Sequence, residues 1–562
     1  MSLIGGVHMQ RSAIKEITGN LLLMVILLLL APGIGRAATG CDGAGNCYVR
    51  AGATGSGSGA DWTNAYTNLP ASLARGVIYY VAAGTYPPHV FNDAVSGSTL
   101  ITIKAPTIAN HGTSTGWSNS YQGQALWQCT STCGPIWDVH LENYIIFDGS
   151  YSTPLSPYTN IATSGYGFKL KTNGYGGNGN TGNNCSECGV VRGGVGYNNL
   201  PNLGPGTYNH DLTFKYIEIE GNHQSSDTGL ADAGFDFEGG SYNLLFSHLY
   251  IHHATWDYFL RGDHNGQSNF GPGNNITVEY NYMYWDYTDQ GSGQGPHGTP
   301  CACSEGLKNF AWRYNVIADM VGTNSGPDTA SGADYNTGNG PGGPWYIYGN
   351  IWYADTASHC AVGDGTLSIY DFSMTAGDLW FVNNSNVKNG YPFCSSTDEV
   401  TYGIGIGLTT PMHGWYEENN LWYQSDLGQN LGSDIIQNGI TSGGTQGSMA
   451  TFSPATVHGY DAYFASPSTA ANDNDTHKQV SAANPFVNLS GNDFRLVSDT
   501  TAGVTLTNTG TYWNGSTTVA NTFNVDMNGV TRGASGTWDR GALQVPSSAQ
   551  PNPPASLTAT PH

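Results

Sequence analysis

Five stretches of the chain share one pattern, in which two short apolar and aromatic runs are separated by polar residues that include an asparagine. They are "NNITVEYNYMYWDY" (274–287), "KNFAWRYNVIADM" (308–320), "PWYIYGNIWYAD" (344–355), "DLWFVNNSNVKNG" (378–390) and "GWYEENNLWYQSD" (414–426). Aligned on it, the asparagines are Asn281, Asn315, Asn350, Asn384 and Asn420, at gaps of 34, 35, 34 and 36 residues. Two earlier segments, "HDLTFKYIEIEG" and "YNLLFSHLYIHHA", extend the series with Ile217 and Leu249 in the asparagine's place and gaps of 32 and 32. A near-constant period marks a repeat architecture whose units bury their apolar faces against their neighbours. The runs are rich in Tyr, Trp, Phe, Val and Ile and bounded by Gly, Asn, Asp and Ser, which predicts β-strands punctuated by turns. Stacked parallel strands place equivalent side chains about 4.8 Å apart, so a column of asparagines can hydrogen-bond amide to amide along the stack. The expected fold class is all-β, a parallel β-helix solenoid. A β-propeller, with four antiparallel strands in blades of about 40 residues, fits the uneven loops and missing blade signature less well.

The segments "VIYYVAAGTYPPHVFNDAVSGSTLITIKAPT" (77–107) and "NYIIFDGS" (143–150) resemble the first coils of the right-handed parallel β-helix proteins of the pectate-lyase-like superfamily. "NPFVNLSGNDFRLVSD" (484–499) and "FNVDMNGVTRGASGTWDRGALQV" (523–545) resemble the closing segment of its secreted bacterial members. The resemblance implies a right-handed solenoid. It leaves the reaction open, because the superfamily holds lyases, hydrolases, esterases and non-catalytic surface proteins.

The expected organisation is a signal peptide (1–37), an N-terminal cap (38–76), the β-helix (77–545) and a Pro-rich linker or tail (546–562) that resembles the lead-in to a fibronectin type III module. Arg11 and Lys15 precede the run "LLLMVILLLLA", and small residues follow near Ala37 and Ala38, as in a secretory leader. A retained membrane anchor is the alternative, although the run is short for a span of about 20 residues. A secreted, extracellular or cell-surface location without stable membrane insertion is expected. Ten cysteines, grouped as Cys41/Cys47, Cys129/Cys133, Cys185/Cys188, Cys301/Cys303 and Cys360/Cys394, suit disulfides in an exported protein. With 18 basic and 41 acidic residues the formal charge is −23. Such a surface repels nucleic acid, so no nucleic-acid partner is expected. A polysaccharide or other glycan is the expected partner, and a monomer the expected state.

Four or five residues after the ladder position, successive repeats place His253, Asp286, Asp319, Asp355 and Lys388. Neighbouring carboxylates there suit a calcium ion or an acid–base pair for glycoside hydrolysis. Asp is also a common turn residue that bonds its own backbone. The segment "SEGLKNFAWRYN" (304–315) resembles the Glu-and-Lys stretch of the chondroitinase B and alginate lyase family. The resemblance implies Glu305 as a calcium ligand, Lys308 as the base that takes the C5 proton and Arg313 as an assisting group. The family spaces its Glu and Lys more widely and follows the Lys with Ser, where this chain has Asn309. Arg313 also stands at the position that Glu279 holds one repeat earlier, so the two can form a cross-strand ion pair. Polygalacturonases use a Gly-His-Gly and an Arg-x-Lys; "PHG" and "MHG" occur here, but no Arg-x-Lys. The polar stretch "HHATWDYFLRGDH" (252–264) is a further candidate groove wall or a solvated loop.

The candidate groove lies around Arg261, Asp286, Glu305 and Lys308. Lys308, Arg313, Arg261 and His253 are the catalytic candidates, and Trp256, Asp257, His297 and Tyr284 the substrate contacts. Asp286, Asp289, Glu305 and Asp319 are the candidate calcium ligands. Lyase or hydrolase action on polysaccharide is the leading expectation; a non-catalytic glycan-binding or surface protein is the alternative.

Overall fold

The computed structural model describes residues 41–129, 135–151, 165–172, 189–193, 208–221, 233–237, 240–254, 256–261, 273–284, 299–304, 307–320, 327–330, 343–357, 368–370, 378–389, 391–393, 405–406, 414–426, 455–467, 476–497, 511–513, 518–520, 523–532 and 538–545. Three long parallel sheets, of 12, 12 and nine strands, wind around one another as a right-handed parallel β-helix. The chain visits the first, second and third sheets in turn, so one coil is one strand of each. Among the described residues no helix is long and apolar enough to cross a membrane.

Strand alternation builds the core. In the first sheet, Leu212 and Phe214 point inward in register with Ile145 and Phe147 on one side and Leu244 and Phe246 on the other. Equivalent rings therefore lie over one another: Phe147 and Phe214 are 4.7 Å apart at 5°, and Phe214 and Phe246 are 5.5 Å apart at 7°. The short turn between first and second sheets carries the asparagine ladder. Oδ1 of Asn281 accepts the amide of Leu249 (2.8 Å), and Oδ1 of Asn315, Asn350, Asn384 and Asn420 each accepts the backbone amide of the previous rung at 3.0 to 3.1 Å. Each Nδ2 also donates to a buried carbonyl, such as Trp312 O from Asn350 at 2.9 Å. Asp461 supplies a sixth rung, its Oδ1 accepting the amide of Asn420 at 2.7 Å.

The residue before each rung adopts the left-handed region, at φ 54 for Tyr280 and 56 for Tyr314. For a tyrosine that conformation costs about 1–2 kcal/mol. Ring stacking down the same edge offsets part of the cost: Tyr216, His248, Tyr280 and Tyr314 follow one another at 4.7, 5.0 and 5.0 Å.

A second apolar core lies outside the solenoid. Tyr353, Val387, Leu421, Tyr423 and Phe464 point outward from the second sheet yet are buried, because Phe486, Phe494, Phe523, Met527, Trp538 and Leu543 pack over that flank. The C-terminal segment is thus a strap along the flank of the stack. Its amides at Gly541 and Ala542 donate to Asn419 O (2.7 Å) and Ser385 Oγ (2.9 Å). Within the strap, buried Arg532 donates to the carbonyls of Asp539, Gly541 and Ala542 at 2.8 to 2.9 Å, and Asp526 accepts amides of Asn528, Val530 and Gln544. At the other end, the strand Asn46–Val49 already belongs to the first sheet. Two of the expected cysteine pairs, Cys41–Cys47 and Cys301–Cys303, are disulfides.

Candidate functional site

The sequence-predicted residues fall at different corners of the coil. Lys308 and Arg313 open and close one first-sheet strand, so their backbones are about 17 Å apart at 3.3 Å per residue. Arg313 pairs with Glu279 at 2.6 Å and donates to Tyr348 Oη at 2.9 Å, the cross-strand arrangement its spacing predicts. Half-buried Lys308 sits where the third sheet turns into the first, its backbone amide bonded to Gly273 O at 2.7 Å. Trp256, Asp257 and Arg261 lie on one third-sheet strand, with Asp257 fully buried. Asp286, Asp289, His297 and Glu305 lie outside the described residues.

His253, Tyr284 and Asp319 lie on three successive coils at the corner between second and third sheets. The register aligns Ala318 with Tyr353, so Asp319 is level with Ala354, one residue short of Asp355. His253, Asp319 and Lys388 share the left-handed conformation of that turn. Buried Asp319 accepts the backbone amide of Asp355, on the next coil, at 2.8 Å. Burial, followed by the charges of Asp319 and Asp355, raises the phenol pKa of Tyr284.

Beside this corner, alternation sets a polar cluster on the outer face of the second sheet. Ile217 and Ile219 point into the core, so Glu218 and Glu220 point out. The neighbouring strands place Lys169 and Lys171 on one side of them and Tyr250 and His252 on the other. Lys169 Nζ lies 2.5 Å from Glu218 Oε1 and 2.6 Å from Glu220 Oε2, and Lys171 Nζ lies 2.5 Å from Glu220 Oε1. Gln124 donates to Glu218 Oε2 at 2.8 Å. His252 Nε2 is 3.3 Å from Glu218 Oε1, and its Nδ1 is 2.6 Å from Nδ1 of His253. The Tyr250 ring stacks on His252 at 4.3 Å. Side-chain exposure rises across the cluster from 6% at Glu218 and 8% at His252 to 21% at Glu220 and 36% at Lys171.

The electrostatics follow from these contacts. Burial alone would raise the Glu218 pKa, but hydrogen bonds from His252, Lys169 and Gln124 and the Lys169 charge bring it down to about 2. Glu220 is lowered in the same way by Lys169 and Lys171, against its own burial. Both carboxyls are therefore ionised at neutral pH and cannot act as proton donors there. Ligand atoms of Glu218, Glu220 and His252 lie within 4.8 Å of one another, a spacing that suits a metal ion. The Lys169 ammonium already lies between the two carboxylates, so an ion would compete with it.

With Glu218 ionised and both rings neutral, the histidine pair has one consistent tautomer. His252 Nε2–H donates to the carboxylate, His252 Nδ1 then accepts, and His253 Nδ1–H donates to it. His253 Nε2 is thereby placed in its proton-accepting form, and Glu218 stabilises positive charge that develops along the relay.

Sequence reasoning singled out His253 and the stretch containing His252, but not Lys169, Lys171, Glu218 or Glu220. The signal was the alternation in "FKLK" and "IEIE". The long insertion between those strands sets Lys169 and Glu218 49 residues apart and hides the repeat. No protein-family model matches the chain, and no curated protein matches it.

Proposed function

We propose that the protein is an exported β-helix enzyme that cleaves a uronate-containing polysaccharide by β-elimination on the outer face of the second sheet. The observation that carries this reading is the Glu218–His252–His253 relay, with the part-exposed ammonium of Lys171 across Glu220 from it. His253 Nε2 takes the C5 proton of the uronate, the C5–H electrons form the C4=C5 double bond, and the glycosidic oxygen leaves C4 with a proton from water. Lys171 faces the uronate carboxylate and stabilises the charge that builds on it as C5 is deprotonated. The second reading is glycan binding without cleavage, favoured by the enclosure of Glu218 and His252.

The test follows unsaturated-product absorbance and new reducing ends on uronate-containing and neutral polysaccharides, with calcium or chelator, for the wild type, His253→Ala and Lys171→Ala. The lyase reading expects absorbance on a uronate polymer, lost in His253→Ala and shifted to higher KM in Lys171→Ala. Reducing ends without absorbance would replace elimination by hydrolysis. Binding without either product would establish the second reading.

A further inference from the structure

The corner between third and first sheets carries a second amide ladder, this one on the surface. Asn243 Nδ2 donates to Asp211 Oδ1 (3.2 Å), Asn275 Nδ2 to Asn243 Oδ1 (2.7 Å) and Asn309 Nδ2 to Asn275 Oδ1 (3.1 Å). All four residues are left-handed, at φ 50 to 55, which explains the choice of Asn and Asp at these positions. Asn243, Asn275 and Asn309 are exposed. Each amide spends one N–H on its neighbour and keeps a second N–H and a second lone pair for solvent or a ligand. The residue before each rung forms a parallel column of His210, Tyr242, Asn274 and Lys308. Its first two rings stack at 4.6 Å and 11°, and Tyr144 meets His210 edge-on at 5.1 Å.

We propose that this corner anchors a single strand of neutral polysaccharide laid along the solenoid axis. Spacing and charge select that occupant. The rungs recur at the strand separation of a sheet, about 4.8 Å, close to the advance of one pyranose ring along an extended glycan, so successive sugars meet successive amides. The columns hold one carboxylate, Asp211, which His210 Nδ1 meets at 2.7 Å, and one ammonium, Lys308, so they carry no excess of positive charge. An anionic polymer finds no net positive field here on a chain of charge −23. The hydrogen-bonding groups are paired amides that match sugar hydroxyls, and the Tyr242–His210 stack offers a ring edge beside them. The inference rests on the polysaccharide reading above and adds a site one sheet away from the second-sheet relay, for holding polymer rather than cutting it.

The experiment measures retention of the full chain on insoluble cellulose, chitin, xylan and mannan. The wild type is compared with Asn243→Gly/Asn275→Gly/Asn309→Gly and with His253→Ala, and circular dichroism and thermal melting check the fold. Glycine adopts the left-handed backbone freely, so the triple variant removes amides without straining the turn. The anchor expects the triple variant to lose about tenfold or more in partition onto at least one polymer, about twofold or more per hydrogen-bonding rung. It expects His253→Ala to be retained like the wild type, and soluble-substrate cleavage by the triple variant to be unchanged. Should the triple variant fold poorly, Asn309→Gly alone at the ladder's end is expected to cost about threefold, on the same per-bond scale. Unchanged retention in these variants, no retention of the wild type on any polymer, or loss of retention in His253→Ala would each overturn the anchor. Cleavage without retention would remove the anchor and leave the lyase reading intact. Ladder-dependent retention without cleavage would do the reverse.

Discussion

Replacing Asn350 by leucine isolates the energetics of the buried ladder. The shape is tolerated, since Leu249 occupies the same column fully buried. The chemistry is not. Asn350 Oδ1 accepts the Asn315 backbone amide at 3.0 Å and its side-chain amide at 3.2 Å, while Nδ2 donates to Trp312 O at 2.9 Å and Asn384 Oδ1 at 3.0 Å. Asn315 Nδ2 keeps its bond to Val278 O, and Asn384 Oδ1 keeps the Asn350 backbone amide. The Asn315 amide and the Trp312 carbonyl lose their side-chain partner in a site that water does not reach. At about 1–3 kcal/mol per buried group left unsatisfied, the expected cost is about 4 kcal/mol. The comparison is Asn275→Gly, which breaks the side-chain amide ladder on the surface, where water replaces the lost partner; there the expected change is under about 0.5 kcal/mol. Equilibrium urea unfolding followed by tryptophan fluorescence and far-ultraviolet circular dichroism measures both. Destabilisation of Asn350→Leu below about 1 kcal/mol, or equal costs for the two variants, would refute the view that burial gives the ladder its value.

Glu218, lowered from 4.5 to about 2, contributes stability above its unfolded pKa that is lost as pH falls from 4.5 toward 2. At 1.36 kcal/mol per unit this is about 3 kcal/mol, so urea midpoints of the wild type should fall steeply over that window and those of Glu218→Gln should flatten. Asp93 and Glu142 are shifted the other way, raised chiefly by burial; their contribution is unfavourable above their raised folded pKa and is relieved on acidification, so Glu142→Gln should blunt any gain in stability on mild acidification. Arg532→Met removes three donors to buried carbonyls and should cost about 3–5 kcal/mol, with increased binding of a hydrophobic dye as the strap loosens. Gly349 has φ +66, and a Cβ there would meet the Tyr314 ring; Gly349→Ala should lower the thermal midpoint by several degrees, for a cost of about 1–2 kcal/mol.

The ladder was legible because a buried asparagine must recur at the repeat period wherever its amide pairs along the stack. Asp461 escaped that reading because a 41-residue gap precedes it and the residue type changes, although its carboxylate oxygen serves the Asn420 amide as the asparagines serve theirs. The Arg313–Glu279 pair was legible from a 34-residue spacing on equivalent positions. The outer ladder has the same spacing, 32 and 34 residues between Asn243, Asn275 and Asn309. It was missed because alignment on apolar runs ignores the residues that open each strand. The relay was half legible: adjacent His252 and His253 stand out, whereas Glu218 reaches them only because parallel pairing sets its strand beside theirs.

The strap explains why the chemistry gathers where it does. A solenoid repeats its outer faces, so a single site requires something to break the repetition. Along the second sheet the outward positions of the later coils are Tyr353, Val387, Tyr423 and Phe464, and the strap closes over them through contacts such as Phe494 on Tyr353 at 4.9 Å and Phe486 on Tyr423 at 5.5 Å. The same positions of the earlier coils are Lys171, Glu220, His252 and Tyr284. Apolar side chains in place of Lys171 and Glu220 would extend the strap's footing or leave an aggregation-prone face. Ionised ones cannot be covered by an apolar segment without a desolvation cost of several kcal/mol per charge. The ionic residues at the early end of this column, Glu220 and Lys171, therefore stand against any extension of the strap over them. It also keeps Lys171 and Glu220 in contact with solvent, where a polar polymer can reach them.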